Sequence, residues 1–218
     1  MLELRANRWV VLAFAVFAGA CTKLAPIATT QALFSDSPSL VKFDFEQDGL
    51  SQSPNGFETR SGHWTVADSP TALSGTQVLV RGGDEAAAIA VKDSENARAG
   101  AGEVGVRVFI GASGAGLGCD AAQGGPSYEL KLEPTAGRVA LYRKDGGSMS
   151  LEGQTPLARP KGEWARLGIR CDGSVVTGYV DGKPLLRDRG DVGSFELSLV
   201  ADPGVTAQFD DLKYWARK

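Results

Sequence analysis

Acidic side chains are the residues of this sequence best placed to do chemistry, and they fall in two short runs. Asp44, Glu46 and Asp48 alternate with other residues, so an extended strand would carry all three carboxylates on one side. A pair of carboxyls flanking a glycosidic bond can hydrolyse it, one as acid and the other as nucleophile or base. Asp48 is followed by Gly49, where a turn begins, so the stripe reads as the solvated face of an edge strand that discourages edge pairing. The second run, Asp210-Asp211, interrupts an alternation in which Phe209, and then Leu212 and Tyr214, point inward. One extra residue in a strand, a β-bulge, produces that pattern. If the end strands pair, Asp210 or Asp211 could join Asp44 or Glu46 as oxygen ligands for calcium. The alternative is that these carboxylates cap the bulge amides or face water.

His63 is the single histidine, so any Ser-His-Asp or Cys-His mechanism would have to use it. It lies between Gly62 and Trp64, where a turn or surface role is expected. No phosphate loop, dinucleotide fingerprint or zinc motif is present. The Gly- and Ala-rich stretch 111–118 lacks lysine and leads into a strand pattern, so it reads as a loop, and no cofactor is required.

Residues 1–20 read as a signal peptide. Arg5 and Arg8 form a positive start, and Trp9 to Ala18 form an apolar run of about ten residues, too short for a permanent membrane helix. The run ends in Ala18-Gly19-Ala20-Cys21, which resembles the bacterial lipobox, with Ala18 where leucine is usual. The expectation is a lipid on Cys21, and the alternative is ordinary cleavage after Ala20. With Cys21 so used, two of the three cysteines remain, Cys119 and Cys171. An even pair in an exported chain reads as a disulfide. Metal ligation is the competing use, but two thiols and a distant His63 make a poor ligand set. Residues 21–40, rich in Thr, Ser, Pro and Ala, read as a lipid-attached tether. Thr22 after Cys21 resembles outer-membrane sorting, so the expected location is the bacterial cell envelope, at the outer membrane or the outer face of the cell membrane. The net charge of −3 becomes −4 once Glu3, Arg5 and Arg8 leave with the leader. Nucleic acid, which needs a basic face, is not an expected partner.

From Val41 onward the chain alternates. Val41, Phe43 and Phe45 do so, as do Val104 to Ile110, Tyr128 to Leu132 and Leu167 to Cys171. Period two with one apolar face is the mark of half-buried strands. Asp48-Gly49, Pro54-Asn55-Gly56, Asp145-Gly146-Gly147, Asp172-Gly173 and Asp181-Gly182 punctuate them as turns. The piece from Ala86 to Val91 fits either a short helix or a strand. No other window after the leader has a helical period, and roughly a dozen short strands predict an all-β domain over 41–218, a two-sheet antiparallel sandwich or jelly roll. Trp64 and Trp164 each head an apolar strand and are expected as core anchors.

Five segments carry a resemblance to a known superfamily. They are Val41-Lys42-Phe43-Asp44-Phe45-Glu46, Gly62-His63-Trp64-Thr65-Val66, Gly162-Glu163-Trp164-Ala165-Arg166-Leu167, the hairpin from Val175 to Leu185, and Phe209-Asp210-Asp211-Leu212. Over about residues 41–215 the chain resembles concanavalin A-like domains of the laminin G-like and 3-keto-disaccharide hydrolase-like kinds. The resemblance implies a β-sandwich with its last strand beside its first. Bacterial members with a cysteine in each of two mid-domain strands resemble the placing of Cys119 and Cys171, which favours the disulfide. Laminarinase-type members carry a Glu-Asp-Glu alternation well inside the chain. Here the order is Asp-Glu-Asp on the first strand, which is not their signature.

Function is less specified than fold, because the superfamily holds lectins, hydrolases and adhesion modules. Its sandwiches usually bind ligand on one sheet face or at that sheet's rim. If the middle strands share a sheet, Arg107, Glu129, Lys131, Arg166 and Arg170 would line one such face. Arginine and acid side chains there could bond hydroxyls or carboxylates; the alternative is an ordinary solvated sheet face. The expectation is an envelope lipoprotein displaying a lectin-like, carbohydrate-binding sandwich whose partner is a glycan or envelope component. A glycoside hydrolase of the 3-keto-disaccharide type and a structural module without a small ligand are the alternatives.

Overall fold

The computed structural model describes residues 40–217 except 93, 95–98, 112, 122–124, 158–159 and 191; the expected leader, Cys21 and nearly all of the tether lie outside them. The described residues form strands and turns, without a helix. Every ladder between the strands is antiparallel.

One sheet runs in the order β13 (Lys183–Arg189), β12 (Val175–Val180), β11 (Ala165–Cys171), β6 (Ala99–Ile110), β15 (Thr206–Arg217), β4 (Gln77–Gly82) and β3 (His63–Asp68). An eighth strand, β1 (Val41–Phe43), also pairs with β15. The second sheet has seven strands. Its order is β10 (Ser148–Pro156), β9 (Arg138–Asp145), β8 (Ser127–Glu133), β7 (Ala115–Ala121), β14 (Phe195–Ala201), β5 (Ala87–Val91) and β2 (Phe57–Ser61). The expected sandwich is thus present, and the ambiguous 86–91 piece is a strand.

Alternation explains the layering. Val104, Val106 and Val108 of β6 and Leu167 and Ile169 of β11 face Leu117 of β7, Leu130 and Leu132 of β8, and Leu197 and Leu199 of β14 in one buried cluster. Cys119 and Cys171 are bonded between β7 and β11, joining the two sheets with Cα atoms 6.8 Å apart. Asp181 and Gly182 both have positive φ, the backbone that a two-residue hairpin between β12 and β13 needs. At one edge Tyr128 donates its hydroxyl to Asp188 of β13 at 2.8 Å. Burial, then Asp188, push the Tyr128 hydroxyl up to about 12.

The bulge lies where the broken alternation put it. Register along β15 shifts between Asp210 and Lys213, with Asp211 at φ 52°. Before the bulge β15 pairs with β4, and after it the same side pairs with β1.

The alternating acids at the start do not form one stripe, because β1 ends at Phe43 and Phe45 turns to φ 64°. Glu46 instead accepts the Thr76 and Gln77 amides at 2.9 and 2.7 Å. Asp48 accepts both nitrogens of Asn55, and Asp44 accepts the Glu46 amide. These carboxylates fasten loops.

Trp64 is buried, its ring 5.5 Å from that of Phe209. Trp164, expected in the core, is only half-buried and lies just ahead of β11, outside the core cluster. Ala165 takes the inward position that the alternation of β11 assigns there.

Candidate functional site

The five residues expected on one face are divided between the two sheets. Arg107 is on β6 and Arg166 and Arg170 are on β11, all in the eight-stranded sheet. Glu129 and Lys131 are on β8 in the seven-stranded sheet. Since each group points away from the shared core, they occupy opposite outer surfaces of the sandwich.

The outer face of the eight-stranded sheet is crossed by the chain's own residues 69–76. Asp210 Oδ2 accepts the Leu73 and Ser74 amides at 2.7 and 3.1 Å, while its Oδ1 accepts the Asp211 amide. Burial pushes the Asp210 carboxyl up, against the downward pull of those amides. Leu73 lies so close to Gly105 that a methyl group there would sit 2.1 Å from a Leu73 methyl. Trp164 Nε1 donates to the Thr71 carbonyl at 2.7 Å. Arg107 donates to Thr71 Oγ1, Ser69 Oγ and Gln208 Oε1, its guanidinium 4.4 Å from the Phe109 ring centre and 4.8 Å from that of Trp164. Beside this strap, Arg166 pairs with Glu103 and Asp211 at 3.4 and 3.3 Å, and Arg170 reaches Tyr179. Arg107 is therefore a packing cation that holds the strap.

The bulge carboxylates are likewise engaged. Asp211 accepts from Ser74 Oγ at 2.6 Å, and the four carboxylates expected as calcium ligands each hold a backbone amide or a hydroxyl. Among the described residues no three His, Cys, Asp or Glu side chains are grouped to hold a metal ion. His63 is exposed at the start of β3, on a shallow pocket with Asp84 and Glu85.

The seven-stranded sheet presents a different surface. On β8 the outward residues are Glu129, Lys131 and Glu133, and on β9 they are Arg138, Ala140 and Tyr142. Register sets Glu129 opposite Tyr142, Lys131 opposite Ala140 and Glu133 opposite Arg138. On the other side of β8, Gly116 and Gly118 stand opposite Lys131 and Glu129, and a methyl at Gly116 would lie 1.9 Å from the Leu130 carbonyl oxygen. The small alanine and the glycines leave the lysine room to lie along the sheet.

Lys131 is 1% exposed, with Nζ 2.9 Å from Glu129 and 2.8 Å from Asp202. Burial alone would lower the ammonium pKa, but the charges and hydrogen bonds of Glu129 and Asp202 outweigh it and the net shift is upward. The same Nζ lies 4.7 Å from the Tyr142 ring centre. Tyr142 donates to Glu133 at 2.5 Å and accepts from Arg138 at 3.1 Å, and Arg138 Nε meets Glu133 at 2.6 Å. Burial, then Glu133, push the Tyr142 hydroxyl up. Lys131, Glu133, Arg138, Tyr142, Met149 and Asp202 line a pocket of about 380 Å³.

On the same surface, toward β14, Asp120 of β7 stands opposite Glu196 and one step diagonally from Glu129. It accepts the Ser198 hydroxyl at 2.5 Å. Burial pushes its carboxyl up; Ser198 opposes, Glu129 and Glu196 add to the rise, and Lys144 opposes.

Glu129 and Lys131 are legible in the sequence as outward residues of one strand, whereas the neighbours that complete the pocket, Tyr142, Arg138, Asp202 and Met149, are not. The short turn between β8 and β9 was the available signal, since a hairpin there puts Arg138 and Tyr142 on the face of Glu133 and Glu129.

No protein-family model and no curated protein matches the chain. Solved structures do match. The carbohydrate binding module CBM66 from Bacillus subtilis superimposes with a TM-score of 0.56 at 18% identity, over 73% of this chain and 96% of that one. Domain 4 of AbnA, a GH43 extracellular arabinanase from Geobacillus stearothermophilus, does so with 0.57 at 16%, over 83% and 94%. The Crh5 transglycosylase gives 0.60 at 13%, over 84% and 86%. At these identities the likeness is one of architecture, and the chain has the concanavalin A-like fold, two antiparallel sheets stacked as a sandwich.

Proposed function

We propose that the domain is a carbohydrate-binding module that holds a glycan without turning it over, at the Lys131–Tyr142 pocket of the seven-stranded sheet. The observation that carries this is the contrast between the two outer faces. Strap 69–76 crosses one, while the other offers a pocket of about 380 Å³ with charged side chains, a tyrosine ring and Met149. Sugars need hydroxyl-directed polar groups beside an apolar surface, and this pocket has both. Two structural neighbours are a carbohydrate binding module and an arabinanase domain solved with arabinotriose, which supports the same reading. Against turnover, Glu129 and Asp202 both hold the Lys131 ammonium and Glu133 holds Tyr142 and Arg138. None of these carboxyls is placed as a free acid and base across a scissile bond. We propose in addition that Cys21 carries a lipid and that the module is displayed from the bacterial envelope.

Titration of oligosaccharides into the protein, with Arg138→Ala and Tyr142→Ala beside wild type, tests the site. At least about a tenfold loss in either variant is expected for removal of a polar or aromatic contact. Full affinity in both variants would move the site elsewhere, and no affinity in wild type would favour a structural module.

Hydrolysis is the second reading, and Asp120 is the observation behind it. A carboxyl held above its usual range beside Glu196 and Glu129 is the setting of a general acid next to an ionised partner. Product formation from a bound oligosaccharide that Asp120→Asn abolishes would establish it.

A further inference from the structure

We infer that the glycan taken at the Lys131–Tyr142 pocket is uncharged, and that the pocket discriminates against glycans bearing carboxylate or sulfate groups. This rests on the carbohydrate-binding reading and specifies it.

The charges at the pocket are already paired within the protein. Lys131 lies between Glu129 and Asp202, and Arg138 is held by Glu133. Two cations thus face three carboxylates. Along the same sheet, Arg60 pairs with Glu58 and Glu196, and the charge of Lys144 acts on Asp120. A uronate entering the pocket would therefore meet net negative charge. To reach the Lys131 ammonium it would have to displace Asp202 or Glu129, and at Arg138 it would lie against Glu133. Displacing one partner of a desolvated pair leaves the other charge unmatched, which costs more than a new exposed pair returns. Lys131 makes this acute, because at 1% exposed it cannot swing into water to meet an incoming anion.

A hydroxyl has no such difficulty. It donates to a carboxylate and accepts from a guanidinium or phenol without adding charge, and the pocket sets Glu133, Asp202, Arg138 and the Tyr142 hydroxyl around one space. Met149 and the Tyr142 ring supply carbon surface for the apolar side of a sugar ring. The pairing also leaves few free ions for a ligand to replace, so affinity should be nearly independent of salt.

The test uses the full chain with Cys21→Ser, titrated calorimetrically with neutral gluco- and arabino-oligosaccharides and with oligogalacturonate and sulfated oligosaccharides. Titrations at about 20 and about 300 mM salt span the range in which screening changes most. Neutral ligands are expected to keep their affinity within about twofold between the two salts, and acidic ones to bind at least about tenfold more weakly. Asp202→Asn and Glu133→Gln each remove one negative charge and should narrow that gap by about tenfold. Two variants on different elements are used so that misfolding of one does not remove the test. Acidic glycans binding as tightly as neutral ones, or a gap that both folded variants leave unchanged, would overturn the inference while the carbohydrate reading stands. Failure of every glycan to bind would instead overturn that reading and this inference with it.

Discussion

Cys119 and Cys171 belong to different sheets and are bonded within the buried core, at the end of β11. The bond closes a loop with a sequence separation of 52. The chain-entropy treatment assigns such a loop roughly 4 kcal/mol. Cys171→Ala, or reduction, should therefore lower the melting temperature by about 10 °C for a domain of this size. Calorimetry with and without reductant checks this, and an unchanged melting temperature would mean that the sheets hold together without the bond.

Trp164→Ala should leave the domain folded. A fully buried aromatic would cost about 3–5 kcal/mol to truncate. Trp164 is half-buried, makes one hydrogen bond to Thr71 and covers one side of the Arg107 guanidinium. Losing the Thr71 hydrogen bond and the Arg107 ring contact should cost about 1–3 kcal/mol. Urea denaturation would read the difference, and an unfolded variant would contradict the placing of this residue outside the core.

Asp210→Ala should loosen residues 69–76. The carboxylate accepts three amides, at Leu73, Ser74 and Asp211, and a methyl group accepts none. Faster hydrogen exchange at Leu73 and Ser74, with a stability loss of about 1–3 kcal/mol, is expected. Unchanged protection of these two amides would count against Asp210 as the fastening point.

These placements show what was legible in the sequence. Val104 to Val108, Tyr128 to Leu132 and Leu167 to Cys171 announced themselves as strands because each buries one side against the core. The bulge at Asp210-Asp211 was equally plain, since an extra residue breaks a two-residue period. Period two says which way a side chain points relative to its own strand and nothing about which sheet the strand joins. That is why Lys131 and Arg107 were set on one face when they lie on opposite ones. β10 went unread for a related reason. Its residues, among them Met149 and Leu151, are mostly exposed, so no buried alternation marks them.

Asp120 gives stability a pH dependence with a definite sign. Its carboxyl is raised above its ordinary 3.8 chiefly by burial, so the folded state binds the proton more tightly than the unfolded chain. The contribution is full below that ordinary value and is lost as pH rises through the raised one. Asparagine can still accept the Ser198 hydroxyl but carries no charge to bury. Asp120→Asn should therefore gain melting temperature relative to wild type between about pH 4 and pH 7. The same difference at both pH values would rule out titration of this group as the cause.

The proposed lipid predicts that Cys21→Ser shifts the protein from the membrane to the soluble fraction and abolishes labelling by palmitate. Unlabelled, soluble wild-type protein would leave ordinary cleavage after Ala20 as the processing route.

The short strand β1 has a mechanical meaning. It joins the sheet through three residue pairs, Val41 with Tyr214, Lys42 with Lys213 and Phe43 with Leu212, and the Phe43 ring lies 4.7 Å from that of Phe57. Tension arriving along the backbone ahead of Val41 is borne first by those pairs. β15 is held independently by β6 along its length and by β4 before the bulge. Under load through the proposed lipid anchor, β1 would peel away as a breakaway section, adding a few residues of slack while the sandwich and its pocket stayed intact.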